Sequence, residues 1–421
     1  MNVLVYPGKP CGTINIPASK SQSHRAIIAA SLASGKSVLS NMTYSEDINQ
    51  TIGAMEKIGT RFIRSADRLI VYGAGRISVP DDNFFECNES GSTLRFLIPL
   101  LSLGKQKVVF VGKKSLMSRP LGIYEKIFGG PGYSFVKKPD SVIVSGRLKP
   151  GIYEIHGNVS SQFVSGLLFA LPLLEGDSEI HVLEPFESRR YVDMTIDVLK
   201  KAGIVVRQDG NCYFIEGNQA YKRFDLIIEG DFSQMAFFAV MGLLSGDVEC
   251  KNMPEKSLQP DHAILDFIHK AGGNYIYSGN SFRFLASSLN GFSCDIGQSP
   301  DLAPVLAVMA AFSEGKSVIG NASRLKIKES DRLAAICQII NGLGGYAVSD
   351  DSSIEIIGCS FLIGGASDSF NDHRIVMALA AAAVKCQNPV LIRNAEAVNK
   401  SYPRFFRDLA SLGIKTDITE E

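Results

Sequence analysis

Apolar and polar positions repeat along the 421 residues. Six segments share one design: a small or acidic polar start, ten or more mostly apolar positions rich in small residues, and usually a glycine. They start at Lys20, Ser90, Ser160, Asp231, Asp301 and Asp372, at spacings of 70, 70, 71, 70 and 71 residues. A run apolar on nearly every face predicts a helix buried all round rather than along one stripe. A second helical pattern follows in each period and closes on Gly59, Gly129, Gly203, Gly272, Gly344 or Gly413. Glycine there supplies the left-handed backbone that ends a helix. Short β-branched runs such as Lys107-Val108-Val109-Phe110-Val111 and Ser317-Val318-Ile319 lie between the helices. Each period reads as β-α-β-α-β-β, and six periods fill the chain. Met1 to Gly8 reads as a first strand, without the basic and apolar regions of a secretory signal.

Composition narrows the function classes. Length alone predicts two or three domains. Lys plus Arg (43) equals Asp plus Glu (43), so the chain has no basic excess for a polyanion, and nucleic acid is not an expected partner. The longest apolar run, Ile375 to Val384, is half of what a membrane span needs. Eight cysteines without a C-x-x-C pair, and six histidines without i,i+3 or i,i+4 spacing, argue against structural zinc. They read as buried free thiols in a reducing compartment, the cytoplasm. Gly35-Lys36-Ser37 and Gly315-Lys316-Ser317 imitate the end of a phosphate-binding loop. Ala30 and Ala310 stand where its first glycine belongs, and a helix precedes each. No G-x-G-x-x-G marks a dinucleotide cofactor.

The candidate chemistry collects at the starts of the buried helices, where exposed N–H groups and the helix dipole favour an anion. Lys20 precedes the first helix, with Ser21 and Arg25 on one face; the alternative is an N-cap serine with a solvated arginine. In Arg324-Leu325-Lys326-Ile327-Lys328-Glu329-Ser330-Asp331-Arg332, the i,i+4 cations Lys328 and Arg332 would share a helix face toward an anion, with Glu329 available for proton transfer. A surface Glu329–Arg332 pair is the alternative. Further cations stand at Arg95, Arg119, Arg374 and Lys400. Asp301, after Ser299-Pro300, reads as an N-cap and as a candidate acid or base.

Seven motifs now stand in order: Lys20-Ser21-x-Ser23-x-Arg25, Ser90-Gly91-Ser92-Thr93-Leu94-Arg95, Ser118-Arg119-Pro120-Leu121-Gly122, Ser160-Ser161-Gln162-Phe163, Lys328-Glu329-Ser330-Asp331-Arg332, Asp372-His373-Arg374 and Lys400-Ser401-Tyr402-Pro403. From about Pro7 to Leu412 the chain resembles the 5-enolpyruvylshikimate-3-phosphate synthase (3-phosphoshikimate 1-carboxyvinyltransferase) family. The resemblance implies an α/β fold, a two-lobed inside-out α/β barrel of six βαβαββ repeats, three per lobe, with sheets around the buried helices. Residues 1–18 with 229–421 would form one lobe and 19–228 the other, with the active site in a cleft that closes between them. The implied reaction moves the enolpyruvyl group of phosphoenolpyruvate to the 5-hydroxyl of shikimate 3-phosphate and releases phosphate, in a cytoplasmic monomer that needs no metal or organic cofactor.

By motif, Lys20, Gly91, Arg119, Gln162, Arg332, Arg374 and Lys400 would hold phosphoenolpyruvate. Lys20, Ser21, Arg25, Ser160, Ser161, Gln162, Ser188, Asp301 and Lys328 would hold shikimate 3-phosphate. Asp301 and Glu329 would be the acid/base pair, with Lys20 as a third donor. The sequence departs from the family pattern at Glu89 and Arg324, both often asparagine, and at Ser188-Arg189-Arg190-Tyr191, which lacks a common proline. Two rivals are the related UDP-N-acetylglucosamine enolpyruvyl transferase, whose reactive cysteine is replaced here by Lys114, and a non-catalytic anion-binding repeat protein.

Overall fold

The computed structural model describes residues 1–419. They divide into two compact units, residues 18–228 and residues 1–17 with those from 229 onward. Each unit has its own apolar core and three four-stranded sheets.

The period from Phe84 to Ser145 shows the repeat without interruption. Strand Phe84–Asn88 leads through the buried helix Gly91–Leu101 to strand Val108–Gly112, which lies parallel to the first. A parallel pair requires such a crossover, and here the crossover is the helix. Two short helices follow, then the hairpin Ser134–Lys137 and Ser141–Ser145 completes the sheet. The periods from Ile152 to Ile215 and from Ser293 to Ile357 repeat this order.

The other three sheets borrow a strand from a distant part of the sequence. Asp225–Ile227 lies parallel to Ser34–Ser40 and completes the first sheet of the 18–228 unit. In the other unit, Cys11–Asn15 lies parallel to Asp247–Lys251. Asn2–Val5 fits between Val390–Arg393 and Thr416–Thr419, antiparallel to both.

The six crossover helices are buried as their composition requires. In Phe232–Ser245 every residue through Leu244 is buried, and in Ala303–Ala311 every residue is. Burying a large apolar side chain is worth about 1.5–3 kcal/mol, so these helices anchor their units. Small residues let sheet and helix approach closely. A Cβ on Gly73 would lie 2.1 Å from the Ala33 carbonyl oxygen, and one on Gly358 1.6 Å from that of Ser313.

Five of the six helix-ending glycines take positive φ: Gly59, Gly203, Gly272, Gly344 and Gly413. Gly129 does not. The extra glycine-rich stretch after the helix Gly122–Ile127 postpones the left-handed residue to Gly132, at φ 87°, beyond Pro131. Gly35-Lys36-Ser37 lies in a strand, as the rejection of a phosphate loop requires. The eight cysteines are free, but only Cys87, Cys250, Cys294 and Cys386 are buried; Cys212, Cys337 and Cys359 are half-buried and Cys11 is exposed. Burial pushes the Cys294 and Cys386 thiols up to about 12. Among the described residues no helix is long and apolar enough to cross a membrane, and no cluster of His, Cys, Asp and Glu could hold a metal ion.

Candidate active site

The crossover helices of the 18–228 unit start on serine. Ser19 Oγ accepts from Gln22 N at 3.4 Å, Ser90 Oγ from Thr93 N at 3.2 Å, and Ser160 Oγ from Gln162 N at 3.3 Å. A hydroxyl cap satisfies one N–H and leaves the dipole uncompensated by charge, so an anion is still favoured there. Lys20 is the first residue of its helix rather than a residue ahead of it, and its ammonium meets Asp47 Oδ2 at 2.8 Å.

At the next helix two guanidiniums crowd Gly91. A Cβ there would lie 3.1 Å from Arg119 Nη1 and 3.4 Å from Arg95 Nη1, so only glycine leaves this space open. Arg95 donates to Gln162 Oε1 at 2.7 Å and to the Pro120 carbonyl at 3.2 Å. Gln162 in turn donates to Ser92 Oγ at 3.0 Å, tying two helix starts together. Glu89 is buried beside this group and is taken up by the Lys113 ammonium at 3.7 Å and the Ser115 hydroxyl at 3.2 Å.

Arg25 is not solvated. It is 2% exposed and donates to Thr195 Oγ1 at 2.7 Å and to the Ser21 and Tyr191 carbonyls at 2.7 and 3.0 Å. Its guanidinium lies over Phe96, 5.2 Å from the ring centroid. Burial lowers its pKa to about 10, which leaves it charged at neutral pH. Ser161 is buried and Ser160 half-buried. Ser188 is buried with left-handed backbone, φ 57°, in the segment that lacks proline. Lys114, where the rival transferase family carries cysteine, is exposed at the start of a short helix.

In the other unit the helix starts are acidic. Asp231 and Asp372 are N-caps: Asp231 accepts from Ser233 N at 2.9 Å, and Asp372 from Arg374 N at 2.9 Å. Asp301 is not a cap. It sits in a short 3-10 turn ahead of its helix with no capping hydrogen bond, and three cations take its carboxylate instead. Arg332 Nη1 and Arg374 Nη2 each donate at 2.8 Å, and Lys328 Nζ lies at 3.5 Å.

Arg332 is the hub. Fully buried, it donates from Nε and Nη2 to both oxygens of Asp372 at 2.7 and 3.2 Å, and from Nη2 to Glu329 Oε2 at 2.6 Å. The Glu329–Arg332 pair therefore exists, but in the interior rather than on the surface. Lys328 and Arg332 do not share a helix face. Residues 328–331 form a turn, and the helix starts at Arg332 behind the Asp331 cap. The turn brings both cations onto Asp301 Oδ1, which a continuous helix would not require.

Burial alone would raise the Asp301 pKa, but Arg374, Lys328 and Arg332 outweigh it and hold the carboxyl well below the usual range. Burial lowers the Lys328 ammonium; Asp301 raises it in part, Arg324 and Arg332 lower it further, and it comes to about 8. Arg332 is disfavoured by burial, yet Asp372, Glu329 and Asp301 push its pKa above the ordinary value. Arg324 is buried and reaches the Gly297 carbonyl at 3.4 Å. Lys400 Nζ donates to the Asn371 carbonyl at 2.6 Å.

The sequence-derived residues thus form two sets, one per unit. Asp372 and Asp47, which fix Arg332 and Lys20, were not among the candidate site residues. Asp372 stood at a helix start and in the Asp372-His373-Arg374 motif without being given a role, and Asp47 lies 27 residues from its partner.

Known proteins give the family. The model of the family EPSP synthase (3-phosphoshikimate 1-carboxyvinyltransferase) matches residues 6–409. A 3-phosphoshikimate 1-carboxyvinyltransferase of Clostridium kluyveri is 44% identical over 420 residues, covering 99% of this chain and 98% of that protein. One of Clostridium acetobutylicum is 44% identical over 413 residues and 96% of each chain. The fold is shared with the EPSP synthase of Acinetobacter baumannii (TM-score 0.82, 24% identity, covering 99% of this chain and 100% of that one). It is shared too with the enolpyruvyl transferase NikO of Streptomyces tendae (TM-score 0.81, 17% identity, covering 99% and 98%). With the seven motifs in order, the six-repeat fold and this coverage, the chain belongs to the EPSP synthase family.

Proposed function

We propose that the two sets of side chains serve one reaction on one pair of substrates. The chain transfers the enolpyruvyl group of phosphoenolpyruvate to the 5-hydroxyl of shikimate 3-phosphate and releases phosphate. The hydroxyl oxygen bonds to C2 while C3 takes a proton. The tetrahedral intermediate then loses phosphate from C2 and a proton from C3, restoring the double bond.

Lys20, Gly91, Arg119, Gln162, Arg332, Arg374 and Lys400 hold phosphoenolpyruvate in this reading. The planar arginines suit its carboxylate, and the bare Gly91 backbone lets an anion approach the helix start. Lys20, Ser21, Arg25, Ser160, Ser161, Gln162, Ser188, Asp301 and Lys328 hold shikimate 3-phosphate. Asp301 and Glu329 handle the two protons, with Lys20 as a third donor.

The observation that carries this is the shared guanidinium of Arg332, with Asp301 and Glu329 at 2.8 and 2.6 Å. Two proton-transfer groups and an anion-binding cation form one cluster. Three cations make Asp301 a poor base. Substrate anions that draw Arg374, Arg332 and Lys328 toward themselves return basicity to it when the hydroxyl proton must leave. The free thiols support a cytoplasmic setting, and the reading needs only one copy of the chain.

The test is phosphate release from phosphoenolpyruvate with shikimate 3-phosphate in a chelator-containing buffer. Release is expected; none, or release only with UDP-N-acetylglucosamine, would overturn the reading. Glu329→Gln should lower turnover at least about hundredfold in a protein that still folds at a somewhat lower melting temperature, and a near-normal rate would remove Glu329 from its role.

A further inference from the structure

Arg25 differs from other cations of the candidate site in its partners. Lys20 meets Asp47, and Lys328, Arg332 and Arg374 all meet Asp301. Arg25 meets neutral oxygens: Nε donates to Thr195 Oγ1 at 2.7 Å, Nη2 to Ser165 Oγ at 3.5 Å and to the Tyr191 carbonyl at 3.0 Å, and Nη1 to the Ser21 carbonyl at 2.7 Å. Among the described residues no carboxylate pairs with it. Thr195 and Ser165 are fully buried, and Arg25 is 2% exposed. A buried guanidinium without a counter-charge keeps most of its desolvation cost.

Proton counting shows which way the two hydroxyls face. Thr195 Oγ1 lies 3.0 Å from the Tyr191 carbonyl oxygen and 2.7 Å from Ser165 Oγ. A carbonyl can only accept, so the Thr195 proton goes there, and the Ser165 proton makes the contact between the hydroxyls. Both hydroxyls therefore turn lone pairs, not protons, toward Arg25. Of the five guanidinium N–H groups, those on Nε and Nη2 are taken by the helices Ser161–Ala170 and Arg189–Lys201. Nη1 gives one to the Ser21 carbonyl and has one to spare. Ser21 is half-buried in the first turn of the helix Lys20–Leu32, so the spare N–H belongs to the nitrogen beside that helix start.

We infer that Thr195, backed by Ser165, is a positioning residue for shikimate 3-phosphate: neutral oxygens fix the Arg25 guanidinium without cancelling its charge, and an anionic group of the substrate supplies the missing counter-charge at Nη1. A carboxylate in place of the Thr195 hydroxyl would neutralise Arg25 in the ligand-free protein. It would stabilise the fold and weaken the attraction for substrate. The inference rests on the proposal that shikimate 3-phosphate binds at Arg25.

The experiment uses the full chain and measures melting temperature without ligand, the Kd of shikimate 3-phosphate by calorimetric titration, and steady-state rates. Thr195→Asp and Thr195→Asn share one shape and differ in charge. Thr195→Asp should melt higher than Thr195→Asn and bind shikimate 3-phosphate at least about tenfold more weakly than it does. Thr195→Val is isosteric but has no acceptor for Nε, whereas Thr195→Ser keeps the oxygen; both should melt below wild type. Thr195→Val should raise the KM for shikimate 3-phosphate about tenfold, the worth of one charge-assisted hydrogen bond, and Thr195→Ser should stay within about twofold. In Thr195→Val, kcat and the KM for phosphoenolpyruvate should change less than about twofold. A Thr195→Asp that melts no higher than Thr195→Asn or binds as tightly, or a Thr195→Val that loses melting temperature but no affinity, overturns the inference and leaves the proposed activity standing. A wild type that binds no shikimate 3-phosphate overturns both.

Discussion

Lys328 offers a test that joins charge, structure and rate. Its ammonium lies 3.5 Å from Asp301, with Arg324, Arg332 and Glu329 also acting on it, and burial sets its pKa near 8. At pH 7 about nine-tenths of the molecules carry the charge and at pH 9 about one-tenth. The substrate phosphate, with a second pKa of about 6, is a dianion throughout. If the charged form binds that phosphate, kcat/KM for shikimate 3-phosphate falls about tenfold from pH 7 to pH 9, because kcat/KM reports groups of the free enzyme. Lys328→Arg keeps a cation that does not titrate and should flatten the profile. Lys328→Gln should be equally flat but about 10–100-fold lower at pH 7, the worth of a charge-assisted hydrogen bond.

Stability should move the other way. The unfolded lysine titrates near 10.5, so between pH 8 and 10.5 the unfolded chain binds more protons than the folded one, and this group's contribution to stability rises with pH over that window. Phosphate release across pH 6.5–9.5, with both variants, decides the matter. A falling limb that survives in Lys328→Arg refutes the assignment.

Two further outcomes follow from the packing. Asp372→Asn keeps the cap on Arg374 N but removes one of the three carboxylates around Arg332. It should cost about 2 kcal/mol and lower the melting temperature by about 4–8 °C, with a raised KM for phosphoenolpyruvate, read by calorimetry and steady-state rates. Gly73→Ala places a Cβ 2.1 and 2.3 Å from the Ala33 and Ala30 carbonyl oxygens, and backbone atoms cannot yield as a side chain can. It should cost about 3 kcal/mol, read by urea denaturation.

The repeat was legible because each period must bury one helix and cap it. Serine or aspartate before an apolar run is a local signal, and Ser19, Ser90, Ser160, Asp231 and Asp372 carry it. Asp301 carries the same signal and does something else, because Arg332 and Arg374 compete for its carboxylate more strongly than a backbone N–H does. Lys328 and Arg332 were misplaced on one helix although Asp331, three residues ahead of Ala334, was the cap that starts it. The burial of Arg25 and the grip of Asp372 on Arg332 were illegible for another reason. Their partners lie 170 and 40 residues away, and only the packed sheets decide which helix starts meet.

The borrowed strands bear on how the chain is made. Residues 18–228 contain all three of their sheets and can close as soon as they leave the ribosome. Asn2–Val5 is made long before either of its neighbours, Val390–Arg393 and Thr416–Thr419. At about 5–20 residues per second it waits about 20–80 s during translation with neither edge paired. An unpaired strand edge invites pairing with another chain. Vectorial synthesis therefore exposes this protein to misassembly at a strand made hundreds of residues before its partners, and protection of Asn2–Val5 until residue 419 is made is a demand the native fold places on the cell.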